Sequence, residues 1–526
     1  MSAPAAPRVR TDPDEQLTGR EVRGLTARVT AAHAGRGVGQ VVTDVAYVVV
    51  SVALATGIVV GVVSAVGDAV GATDAWTVGD VAGAWTGGGD PVAPGVLHAL
   101  VGLVVLALLA SAAARLGPAG VGTAGLHWWV PAPVDRRGLL VPSVRSGTVV
   151  GVLVGAVGLA LGGLVAGAGT TTVLLGALVG APAGVLVVAG AGLAQPSPGR
   201  SRVLRGAADA AVALVPVLGV LGVASGVDLP VLSASPVLVV VLAGVLAAGA
   251  VALVTTWVSR VDRLGLAALA GRSGTVDRLG AAVLSADTRD LGRALDVGTA
   301  LRRPRRLRHF ALVRGPRAAV VAADAVLLAR SPSSLAQLVG LVALLALAHQ
   351  VPVLAAGPGL AAVVLAAGAR GARLGAGGAV AADMVPALDA SLPLSARGVR
   401  LVRAVVPGAV AALCLALGLV PVAVATSDSS WVVLGALVGV GCGAAAVRGA
   451  LRPQADWSGP LLATPAGAFP VNVAAVARQG PDLVLLSALP FAVAAVLGVV
   501  TPAVVLAQAV VAVVALAVAA HAPRPR

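Results

Sequence analysis

Residues 147–194 read GTVVGVLVGAVGLALGGLVAGAGTTTVLLGALVGAPAGVLVVAGAGLA, two apolar runs joined by a Gly- and Thr-rich break, without one charged side chain. Each run supplies the roughly 20 apolar residues that a helix needs to cross the hydrocarbon core. In lipid the backbone must satisfy its own polar groups, so such runs form helices. The pair therefore predicts a helical hairpin through a membrane, and the rest of the chain has the same character.

Over 526 residues the chain is 58% hydrophobic and 11% charged, with a mean hydropathy of +0.97. Soluble domains carry about 25% charged residues, so a water-soluble globule is excluded. Apolar runs lie at 41–66, 95–115, 147–168, 171–194, 207–226, 235–258, 319–350, 352–369, 402–425, 431–449, 482–498 and 500–520. The expected fold is all-α: a polytopic membrane protein of about twelve spans. Within the seventh run Asp324, Arg330 and Pro332 predict a short interfacial helix followed by a span from about Ser334. Residues 1–40 hold no apolar core, which predicts no cleavable signal peptide. Leu17, Val22, Leu25 and Val29 alternate there with Arg20, Arg23 and Arg28, the pattern of a short amphipathic helix at the interface.

All 37 residues counted as Lys plus Arg are Arg. Without Lys there is no Walker A motif and no Schiff-base chemistry. If both termini are cytoplasmic, the external loops hold Asp68, Asp74, Asp80, Asp90, Asp228 and Asp428 and no Arg, while arginines fill the internal segments. That is the positive-inside pattern. It accounts for the net charge of +14 without a nucleic-acid partner. Arg in place of Lys and the Ala, Val, Leu and Gly bias fit a GC-rich bacterial genome, hence a bacterial plasma membrane. Cys414 and Cys442 fall in apolar runs with no cluster of His or Cys around them, which predicts no disulfide, metal or cofactor.

The two halves echo each other. APVDRRG (132–138) precedes the third run and LPLSARG (392–398) the ninth, matching Pro133 with Pro393, Arg137 with Arg397 and Gly138 with Gly398. In the fourth and tenth runs Gly176, Gly180 and Gly184 correspond to Gly435, Gly439 and Gly443, glycines four apart that permit close helix packing. Asp44 and Asp324 open the first and seventh runs, and Asp209 and Asp482 mark the fifth and eleventh. These acids are candidate intramembrane groups, or residues placed at helix starts by the macrodipole. Six spans per half make the expected repeat parallel. The organisation is a tail (1–40), a first half (41–258), a basic linker (259–318), a second half (319–520) and a tail (521–526). The linker run LRRPRRLRH (301–309) fixes topology or attracts anionic headgroups.

The segment PVDRRGLLVP (133–142), the stretch DAVLLARSP (324–332) and LPLSARG with Arg400 and Arg403 resemble the large permease subunits of bacterial ABC-type exporters. The resemblance implies a separate ATPase subunit docking on the cytoplasmic face, with Pro133, Asp135, Arg136, Arg137, Pro393 and Arg397 as candidate docking residues and no catalytic residue in this chain. Twelve spans also resemble the major facilitator superfamily, a proton-coupled alternative. Its loop motif is half present in Asp135, Arg136 and Gly138, but Pro131 replaces the leading Gly and Leu139 and Leu140 the basic pair. A membrane glycosyltransferase would use external acids, yet Asp68, Asp74, Asp80 and Asp90 are singly spaced. A non-transporting scaffold is the remaining class.

Overall fold

The computed structural model describes residues 18–33, 94–165, 168–225, 235–266, 268–270, 313–350, 352–355, 357–453, 461–464, 467–470 and 479–521. The first predicted span, Asp44, the acids at 68–90 and most of the basic linker, including 301–309, lie outside these residues.

The described chain is helical apart from a two-stranded hairpin, β1 (Leu461–Thr464) and β2 (Gly467–Pro470). An amphipathic helix α1 (Gly19–His33) is followed by α2 (Pro94–Leu116), α3 (Thr123–Trp128), α4 (Arg136–Val165), α5 (Thr170–Ala194), α6 (Pro198–Ala224) and α7 (Pro236–Arg260). Beyond the linker come α8 (Gly315–Ala329), α9 (Pro332–Ala348), α10 (Pro352–Ala355), α11 (Gly357–Gly375), α12 (Gly377–Met384) and α13 (Pro386–Ala390). The chain closes with α14 (Ala396–Gly418), α15 (Val420–Thr426), α16 (Ser430–Ala450), α17 (Pro481–Leu497) and α18 (Pro502–Ala520).

Eight of these helices are long and apolar enough to cross a membrane, and ten spans result if two bent pairs each count once. Helix α17 is apolar but shorter, at 17 residues. The surface of the bundle is apolar too: Leu153, Leu174, Val237, Val251, Leu489, Leu506 and Val513 are exposed. A water-soluble bundle would hide such a belt. The chain is a multi-pass membrane protein.

The bent pairs resolve the seventh and eighth runs. Helices α8 and α9 meet at 82°, and α11 and α12 at 53°. Arg330, Ser331 and Pro332 break the first pair, because Pro332 has no N–H to continue the ladder and occupies the first turn of the next helix. The expected lateral helix is thus α8, with the apolar helix α9 starting at Pro332.

The two largest apolar clusters lie on either side of the linker. Leu109, Leu126, Leu140, Val144, Val188 and Trp257 unite α2, α3, α4, α5 and α7. Leu345, Val364, Leu415, Trp431, Val438 and Phe491 unite α9, α11, α14, α16 and α17. Helix pairing matches between the halves. The pairs α2–α4, α2–α5, α2–α6, α4–α5, α5–α6 and α5–α7 have counterparts in α11–α14, α11–α16, α11–α17, α14–α16, α16–α17 and α16–α18.

The glycine triplets make the tightest of these pairings. Gly176, Gly180 and Gly184 of α5 lie against Leu159, Gly155 and Gly151 of α4, so that a Cβ at Gly180 would overlap the Gly155 carbonyl. Gly435, Gly439 and Gly443 of α16 lie against Leu415, Ala412 and Gly408 of α14. The halves meet where Gly340 of α9 touches Ala213 of α6 and Leu347 reaches Gly219.

Candidate functional site

The expected docking segments are built alike. Each follows a short helix, α3 or α13, and turns through one pair of backbone bonds. Ala132 N–H donates to Trp129 O (3.2 Å) and Val134 N–H to Ala132 O (2.8 Å); Leu392 N–H donates to Asp389 O (3.2 Å) and Leu394 N–H to Leu392 O (2.7 Å). Each then caps a long helix. The Asp135 carboxylate accepts from Gly138 N–H at 2.6 Å, and the Ser395 hydroxyl accepts from Gly398 N–H at 3.2 Å. Both are N-cap residues bonded to the third helical amide. Pro133 and Pro393 are exposed on the two turns.

Arginines in the first turns fasten these helices to the ends of others. Arg137 donates from Nε to Val258 O of α7 (3.2 Å), and Arg136 to Leu264 O (3.4 Å). Arg400 donates to Leu451 O (3.4 Å) and to His521 O just past α18 (3.2 Å). A guanidinium at a helix C-terminus satisfies carbonyls that lack intrahelical donors. Arg397 is exposed.

A further helix holds each segment, α1 in the first half and α8 in the second. In the first half Gly19 N–H of α1 donates to Asp135 Oδ1 (2.5 Å), Arg23 donates to Leu139 O (2.6 Å), and its guanidinium stacks 5.5 Å from the Trp129 ring centroid. Asp135 therefore joins the N-termini of two helices. These amide bonds hold its carboxyl below the usual carboxylate range. In the second half the charges are exchanged. Asp324 of α8 accepts from Arg403 of α14 at 2.9 Å, while Arg403 forks onto Asp389 of α13 at 2.9 and 2.5 Å. Asp324 is 4% exposed and packs on Gly378 of α12, where no Cβ would fit.

The model of DUF6297, a family of unknown function, matches residues 90–460, more than half of the sequence. The chain belongs to DUF6297. The match runs from before α2 to beyond α16, so it includes both Pro-bearing turns, α8 and the Arg403 cluster. No curated protein matches the sequence significantly.

In this DUF6297 chain the candidate acids part company. Asp209 lies well inside α6, where Arg115 of α2 grips it from 2.7 and 2.8 Å and Ser111 donates at 2.9 Å. Asp324 lies within α8. Neither sits at a helix start, so the macrodipole does not explain them; each answers a specific arginine. Asp482 does open α17, where it accepts from Gly480 and Leu483 N–H and pairs with Arg448 at 3.2 Å. Arg115, Asp389 and Gln195, whose amide braces Ala119 N–H and O, were not singled out by sequence. Their partners are 94, 14 and 76 residues away, and no local pattern marks them. Among the described residues no three of His, Cys, Asp or Glu converge to hold a metal.

Proposed function

We propose that the chain is the membrane-spanning permease subunit of an ABC-type exporter, energised by a separate ATPase that docks on the arginine-bearing face. The observation that carries this reading is the recurrence, 260 residues apart, of one surface element: short helix, exposed Pro turn, N-cap and long transmembrane helix. Two equivalent handles on one face suit a partner that moves two halves, and the long helices carry that movement to the glycine-packed α4–α5 and α14–α16 pairs.

The topology proposed with it has twelve spans, the ten already described plus α17 and the segment 41–66. The halves are related as a parallel six-plus-six repeat, which the matching helix pairs support. Both termini face the cytoplasm of a bacterial cell, consistent with the distribution of arginine.

The internal bonds of Asp135, Arg136 and Arg137 refine the docking surface. Those side chains hold the turn to α1, α7 and Leu264 beyond it, which leaves the exposed Pro133, Pro393 and Arg397 to meet the partner. The test is purification of the full-length protein from native membranes in mild detergent. An ATPase co-purifies with the parent chain and is lost with Pro133→Glu combined with Arg397→Glu, while the helical circular dichroism is unchanged. Transport that collapses with the proton gradient and ignores ATP depletion would replace this reading with the facilitator one, and absence of both ATPase and transport would favour the scaffold.

A further inference from the structure

We infer that α1 is an anionic-lipid-binding helix, held by the Asp135 turn and lying in the headgroup layer. Helix α1 has three faces. Gly19, Val22, Arg23 and Thr26 form the docked face, attached to Asp135, Trp129 and Leu139. Beside it Leu25 and Val29 form an apolar stripe, 43% and 46% exposed. Arg20 and Arg28 line the third, exposed face. Glu21 keeps its negative charge in a capping box, accepting from Thr18 N–H and Oγ1 at 2.9 Å each, and offsets one arginine, but Arg20, Arg23 and Arg28 leave the helix net positive.

The attachment sets the depth and tilt of α1. Its hydrogen bonds to this region fall at Asp135 and Leu139, the N-cap and first turn of α4. The anchoring turn stands at the end of α4 where Arg136 and Arg137 gather, about 15–20 Å along the helix from the exposed apolar surface of Val149, Val150 and Leu153. A helix held at that end of α4, with Leu25 and Val29 exposed on one side and Arg20 and Arg28 on another, meets the boundary of acyl chains and phosphates. Arginines supply charge complementarity to a negative leaflet, and Leu and Val the insertion.

The inference needs only the membrane character of the chain, not the exporter reading. Full-length protein with a nitroxide at position 29 is reconstituted in nanodiscs of pure phosphatidylcholine or of phosphatidylcholine with 30% phosphatidylglycerol. With the anionic lipid the label becomes accessible to oxygen and shielded from a water-soluble nickel chelate. Arg20→Ala with Arg28→Ala reverses the change and lowers the inserted-to-free ratio about 25-fold, at about fivefold for each arginine near an anionic surface. A label equally shielded in both lipids, or shielded in the double variant as in the parent, overturns the charge recognition. A label exposed to water in every lipid overturns the whole inference. A second label at the exposed position 397 should not respond to lipid charge, and its constancy separates a local effect from unfolding.

Discussion

Gln508 of α18 is inserted into the backbone of α17, donating from Nε2 to Ser487 O at 2.7 Å and accepting from Phe491 N–H at 3.2 Å. Pro490 stands one residue before that amide and removes a donor from the helix ladder. A fully buried side-chain amide thus acts as a replacement peptide beside the proline. In lipid no water can take over these groups.

Gln508→Ala should therefore cost about 2–4 kcal/mol, one to two buried unsatisfied groups, and separate α17 from α18. Thermal unfolding in detergent would show it. Gln508→Glu, whose neutral acid keeps an acceptor oxygen and an O–H donor, should stay near the parent at a pH where the acid is protonated and fall towards Ala where it ionises. Equal stability of all three would refute the brace.

The glycine triplets give a second expectation. Gly180→Val places side-chain atoms against the Gly155 backbone and Gly439→Val against Ala412, so both should force helices apart. The cost is about 1–3 kcal/mol or more for overpacking. Gly190→Val, on the same helix as Gly180 but with open space at its Cβ, is the matched control. Folded yield by size-exclusion chromatography in detergent distinguishes them, with loss expected for the first two and little change for the third.

Arg403 carries two carboxylates from two different helices. Arg403→Ala strands both Asp324 and Asp389, and loss of one partner in a buried pair typically costs about 3–5 kcal/mol. Adding Asp324→Asn and Asp389→Asn should restore much of the loss, since the damage lies in unpaired charge. A triple variant as unstable as the single one would mean that Arg403 acts through packing alone.

Much of this was legible because hydropathy reports a physical requirement: runs such as 171–194 must be helices in lipid, and the helix Thr170–Ala194 follows. The bend at Arg330–Pro332 was legible for a like reason, as a proline ends a ladder wherever it falls. The ion pairs were not. Asp209 and Asp324 look alike in sequence, and only the fold brings Arg115 to one and Arg403 to the other. The glutamine braces escaped for the same cause: an isolated Gln in an apolar run says nothing about which backbone it will meet.

Topology can be read with single cysteines, because Cys414 and Cys442 are both buried. A cysteine replacing Asp428, between α15 and α16, should react with an impermeant maleimide in intact cells. One replacing Arg397 should react only after permeabilisation. The reverse result would invert the orientation and place the docking segments outside, beyond any cytoplasmic ATPase.

The last prediction concerns acid release of α1. Asp135 has a carboxyl depressed below its ordinary value of about 3.9, first by the Gly19 amide and then by the Gly138 amide. A group depressed by docking contributes fully above its undocked value, and its contribution fades as the pH falls through the docked value. Glu21 is depressed by its bonds to Thr18, which lie within α1 and persist on undocking, so it adds nothing to the pH dependence of docking. Docking of α1 should be constant at neutral pH and weaken below about pH 4. The exposure of the Asp135 carboxyl keeps the effect small, and Arg23 retains its contacts with Leu139 and Trp129. Spin labels at the exposed positions 27 and 133 report the separation by double electron–electron resonance. The distance distribution should broaden on acidification in the parent, and Asp135→Asn should be broad at pH 7 and insensitive to acid. A parent that loosens as the pH rises, or an Asn variant as tight as the parent at neutral pH, would show that Asp135 does not join the two helices.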